Sequence, residues 1–98
     1  MRSHLNIAEI VKLCEVHKVA QLYVFGSVLT EKFNEESDID FLVNFKEVKI
    51  SDYANNFFNL KFSLEDLLQR KVDLVEQKAL KNPYFIESVN TQKELIYG

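Results

Sequence analysis

The sequence predicts an α/β sandwich built on a mixed three- to four-stranded sheet packed with helices, and three observations carry that expectation. Short β-rich runs alternate with segments of helical periodicity. Two glycines and one proline leave little material for the many tight turns of an all-β fold. A chain of 98 residues, 47% hydrophobic and 28% charged, has the balance and length for one modest core. A single domain over residues 1–98 is therefore expected.

Each element has a local reason. Asn6 stands three residues before Glu9 in a capping pattern, and Ile7, Ile10, Val11 and Cys14 recur at helical spacing, so a first helix is expected over 6–18. Leu22-Tyr-Val-Phe25 reads as a buried strand stopped by Gly26. Residues 27–33 fit a helical turn or two, and 34–37 form a polar loop. Ile39-Asp-Phe-Leu-Val43 is a second strand. Ser51 and Asp52 can open a helix carrying Phe57, Phe58, Leu60 and Phe62. Ser63-Leu-Glu-Asp66 repeats the capping pattern, so one broken helix or two short ones fit equally. Val72-Asp-Leu-Val75 is the third strand, and 46–50 supplies a fourth if it pairs. Asn82-Pro83 opens a last helix whose apolar face is Phe85, Ile86, Val89, Leu95 and Ile96.

Composition excludes several classes of function. Fifteen acidic against twelve basic residues give a net charge of −3, which argues against a broad phosphate-backbone footprint and hence against direct nucleic-acid binding. The single cysteine, Cys14, allows no internal disulfide or multi-cysteine zinc site and reads as a buried small hydrophobe. His4 and His17 are too few for a histidine cage, and His17 suits a helix C-terminus. No apolar stretch approaches the roughly 18 residues of a membrane span, and the N-terminus lacks the features of a secretion signal. A cytoplasmic protein is expected. Phe57, Phe58 and Phe62 suit a helix core, with enough apolar surface to leave a patch for a partner protein.

Three features carry chemistry. Phe25-Gly26-Ser27 ends a strand and leads into a helical segment. Glycine admits close backbone approach, helix N-termini present N–H groups to anions, and serine adds a hydroxyl. On its own, this is an ordinary strand-to-helix turn. Asp38 and Asp40, two apart on an extended segment, project to one side. Paired carboxylates repel and favour a cation between them, and oxygen-only ligation with few carboxylates suits Mg²⁺. The plain alternative is a solvated strand edge. Asp73, flanked by apolar residues, must face away from the core or have a partner. If its strand lies beside that of Asp38 and Asp40, three carboxylates converge as two-metal phosphoryl or nucleotidyl transfer requires.

Gly26-Ser27, ten residues, Asp38-x-Asp40 and a late Asp73 in a Val-Asp-Leu-Val strand resemble the minimal nucleotidyltransferase domain of the polymerase β superfamily, over most of the chain. The resemblance implies that Gly26 and Ser27 hold the triphosphate of ATP. Asp38, Asp40 and Asp73 would ligate two Mg²⁺ ions, with Asp73 also serving as base. It further implies an antitoxin that transfers AMP to a hydroxyl, a tyrosine by expectation, of a HEPN-type ribonuclease toxin, with which it can form a hetero-oligomer. Many relatives follow Gly-Ser with an arginine-rich, glycine-containing run, whereas this chain has Val28-Leu-Thr-Glu31 and then Lys32. Two other readings stay open: an antitoxin of the same fold that neutralises by binding alone, and a nucleotidyltransferase acting on a small molecule.

Overall fold

The computed structural model describes residues 6–26 and 38–98. His4 and the expectations for residues 27–33 and 34–37 fall outside the described residues. The elements run α1 (Ile7–Val16), β1 (Val19–Phe25), β2 (Ile39–Phe45), α2 (Ile50–Leu68), β3 (Val72–Glu76), a 3₁₀ turn (Gln77–Ala79), α3 (Pro83–Gln92) and β4 (Glu94–Tyr97). The sheet order is β3-β2-β1-β4. β1 is antiparallel to both β2 and β4, while β2 and β3 are parallel, joined through α2.

Strand alternation divides the sheet into two chemically different faces. One face carries Leu22, Val24, Ile39, Phe41, Val43, Val72, Leu74 and Ile96, which pack with Ile10 and Cys14 of α1 and Leu60 and Leu64 of α2 as the main core. The other carries Phe25 and Leu42, covered by Val89 of α3, with Tyr23, Val75 and Leu80 at the margin. Cys14 is fully buried as expected, and burial, with a smaller push from the Glu15 charge, drives its thiol pKa up to about 12. The thiol is thereby held protonated and inert.

Four expectations are corrected. α2 is one continuous helix from Ile50 to Leu68, because Leu60 and Leu64 are both buried on its core side and helical periodicity passes straight through Ser63. Residues 46–50 form no strand: the Lys46 N–H donates to the Lys18 carbonyl at 2.8 Å, and the chain turns into α2 at Ile50. The fourth strand is β4, so Leu95 and Ile96 belong to the sheet edge and not to the last helix, which stops at Gln92. Asn6 occupies the N-cap position of α1 without a side-chain capping bond, and Ser51 and Asp52 lie inside α2, whose N-cap is Lys49. Asn82 does cap: its Oδ1 accepts from the N–H groups of Tyr84 and Phe85 at 2.9 and 3.2 Å, with Pro83 at the first helical position.

Side-chain bonds fasten the helices to their neighbours. His17 Nδ1 donates to the Leu13 carbonyl at 2.8 Å, closing the end of α1. Asn56 on α2 donates to the His17 carbonyl at 2.8 Å, tying α2 to that same end. Tyr53 on α2 donates to Glu76 at the end of β3, and burial, that bond and the Glu76 charge raise the phenol above its ordinary pKa. Phe57 packs against the core, while Phe58 and Phe62 stack on each other, ring centroids 6.1 Å apart, at the surface.

α1 hands over to β1 through Lys18, whose φ of 58° lies in the left-handed region that disfavours side chains. Its side chain is exposed, so only the backbone is at stake. Lys18→Gly is expected to stabilise the fold by about 1 kcal/mol. Urea denaturation checks this: the midpoint should rise with the slope unchanged.

Candidate functional site

The site is assembled by strand register. Phe25 of β1 pairs with Asp40 of β2, and Asp40 pairs with Asp73 of β3. Directly opposed residues share a face with Cβ atoms roughly 5 Å apart, so Phe25, Asp40 and Asp73 form one row across three strands. The apolar partners on either side, Ile39 and Phe41 of β2 and Val72 and Leu74 of β3, are buried in the main core. Alternation therefore turns both acids to the α3 face.

Their positions differ electrostatically. Asp40 is half-buried, and burial first, then the Asp73 charge, then the Asp38 charge raise its pKa above the ordinary value. Asp73 is exposed, and Asp38 is exposed just before β2 begins. The structure thus brings Asp40 and Asp73 side by side, with Asp38 close enough for its charge to be felt. Among the described residues, no three His, Cys, Asp or Glu side chains make up a ready-formed metal cage. The acids of the row offer carboxylate oxygens alone, a chemistry that suits a hard divalent cation.

Gly26 is fitted to this row. Its φ is +81°, a conformation open to glycine, and a Cβ there would overlap Asp40 Oδ2 and stand 3.1 Å from Asp40 Cγ. Glycine is required both for the backbone angle and for the space occupied by the carboxylate. Ser27, the other residue expected at the turn, lies outside the described residues, as do Val28, Glu31 and Lys32.

One contributor has no counterpart among the sequence motifs. Glu65, late in α2, accepts the Val72 N–H on its Oε2 at 3.1 Å, while the Ile39 N–H donates to the Lys71 carbonyl at 3.1 Å. These two bonds fix where β3 starts, one residue before Asp73. A carboxylate accepting a backbone N–H across seven residues has no short-range sequence signature; only the Ser63-x-x-Asp66 pattern was visible there, and it pointed to a cap.

A mixed four-stranded sheet with helices on both faces is the architecture of a minimal nucleotidyltransferase. The chain belongs to the Polymerase beta, Nucleotidyltransferase family, which matches residues 8–98. A Methanocaldococcus jannaschii protein named as a candidate protein adenylyltransferase is 43% identical over 97 residues, 99% of this chain and 89% of that one. Among solved structures, one chain of a toxin–antitoxin crystallised with AMP-PNP superposes with a TM-score of 0.75 at 27% identity, covering 96% of this chain and 74% of that chain. A chain from the tri-AMPylated Shewanella oneidensis HEPN toxin in complex with its MNT antitoxin superposes at 0.68 and 26% identity, covering 100% of this chain and 73% of that chain.

The acidic row predicts a measurable strain in the ligand-free protein. Because the folded state raises the Asp40 pKa, its stability contribution is fully present below the ordinary carboxylate range and is lost as pH rises through the raised value. Asp40→Asn should therefore raise the melting temperature at neutral pH, and the gain should shrink to nothing as pH falls through the carboxylate range. Calorimetric melts of both proteins from pH 3 to 8 check the sign.

Proposed function

We propose that the chain is a Mg²⁺-dependent protein adenylyltransferase that acts as an antitoxin in the cytoplasm, moving AMP from ATP to a tyrosine hydroxyl of a HEPN-type ribonuclease toxin. The observation that carries this reading is the register pairing of Asp40 with Asp73 beside Gly26. The names of the relatives support the same direction. One is called a candidate protein adenylyltransferase, one superposing structure holds AMP-PNP, and another contains an AMPylated HEPN toxin. None of the described helices is long and apolar enough to cross a membrane.

In this reading Asp38, Asp40 and Asp73 would hold two Mg²⁺ ions, which would neutralise the charge of the carboxylates and the triphosphate. Gly26 leaves the backbone open to the phosphates, and Ser27 adds its hydroxyl. The acceptor oxygen attacks the α-phosphorus in line, and the bond from that phosphorus to the bridging oxygen breaks. Pyrophosphate leaves, and Asp73, the more exposed acid of the row, takes the acceptor's proton. Placing the two reactants and meeting the developing charge is most of what the protein does.

Substoichiometric protein with ATP and Mg²⁺ should add one or more AMP units to the toxin, visible as fixed mass increments, and abolish its ribonuclease activity. Asp40→Asn should lower that transfer by orders of magnitude while the protein stays folded. Inhibition that tracks the molar ratio, needs no ATP and leaves the toxin mass unchanged would instead establish neutralisation by binding alone.

A further inference from the structure

We infer that Phe85, at the start of α3, is the platform on which the nucleobase of the bound nucleotide stacks. The inference rests on the nucleotide-binding reading above and assigns the half of the ligand that the acids and the glycine turn leave unexplained.

The row Phe25–Asp40–Asp73 crosses three strands. Its non-acidic member, Phe25, is buried, yet Phe85 meets it edge to face with ring centroids 6.3 Å apart and an interplanar angle of 77°. Phe85 itself remains 43% exposed. A phenylalanine held by one ring and open to solvent on another side is an incomplete stack. Asn82 and Pro83 make the placement rigid, since the Phe85 N–H donates to Asn82 Oδ1 in the first turn of α3. Val89, one turn further on, anchors the same helix against Phe25 and Leu42.

Connection through Phe25 suits the role. Directly opposed side chains on neighbouring strands stand roughly 5 Å apart at Cβ, and the Phe25–Phe85 spacing adds one ring contact. Phe85 is therefore linked to Asp40 through a single intervening ring, that of Phe25. A triphosphate at the acids and the Gly26 turn leaves its base within reach of an aromatic face. Such stacking accepts any base, because every base has a π-face. The acids attract the cation, the cation would draw the phosphates, and the ring supplies the apolar contact they lack.

The test is isothermal titration of the whole chain with Mg²⁺ and two probes, AMP-PNP and inorganic tripolyphosphate. Phe85→Leu keeps apolar bulk against Phe25 but has no π-face, so it separates stacking from packing. It should weaken AMP-PNP binding about tenfold, while Phe85→Trp should retain it. Tripolyphosphate, having no base, should bind the parent and Phe85→Leu equally. Tyr84→Ala removes an aromatic ring one residue away on a different side of α3 and should change neither probe. AMP-PNP binding by Phe85→Leu at parental affinity, with tripolyphosphate still bound, overturns the platform and leaves the nucleotide-site reading standing. Failure of both probes to bind the parent overturns the nucleotide-site reading and the platform with it.

Discussion

Everything at the site follows from the parallel pairing of β2 with β3 in the register that sets Asp40 opposite Asp73. Half-burying Asp40 and setting the Asp73 charge beside it both oppose folding, and the two together, burial first, raise the Asp40 pKa. What holds them there is the other face. Ile39, Phe41, Val43, Val72 and Leu74 are buried together against α1 and α2, and each such side chain contributes about 1.5–3 kcal/mol when fully buried. A slip of one residue would turn the acids into that core and the apolar set into solvent. Hydrophobic burial therefore fixes the position of groups that would separate if left to their own charges.

The two faces divide the labour. The α1–α2 face holds the main apolar core, and α2 is tied to the end of β3 through Tyr53 and Glu76 and to the start of β3 through Glu65 and Val72. The α3 face is only partly covered, with Phe25, Leu42 and Val89 as its buried centre and the acidic row at one end. Further along, Asn44 donates to Gln21 at 3.1 Å and to Gln77, a polar row at the opposite end of the same face. Stability resides mainly on one side and chemistry on the other, so substitutions at Asp40 or Phe85 need not disturb the principal core.

The parts of this arrangement that the sequence discloses are those written in short-range periodicity. The alternation in Ile39-Asp-Phe-Leu-Val43 and Val72-Asp-Leu-Val75 exposes both strands and both acids, because an acid between buried positions must point the other way. β4 was hidden because it is four residues long and because Leu95 and Ile96 also fit the helical spacing of Phe85 and Val89. Its pairing with β1, which no local pattern encodes, decides the outcome. The Ser63 pattern misled for the opposite reason: a local capping signal was outweighed by continuous burial of Leu60 and Leu64. Gly26 was legible as a turn, but its fit against Asp40 Oδ2 depends on a strand fourteen residues away and appears only in three dimensions.

In the proposed function the acidic row tolerates its own repulsion in order to receive a divalent cation with a nucleotide. Melting the protein with Mg²⁺ or Mn²⁺ plus AMP-PNP reads out that role, with Asp40→Asn melted alongside. Ligand that binds only the folded chain stabilises it by about 2.7 kcal/mol at a hundredfold excess over the dissociation constant. The parent should show a rise of that order that requires metal and nucleotide together, and Asp40→Asn should lose most of it. A parent melting temperature indifferent to both at millimolar concentration would mean that the row receives no cation and nucleotide.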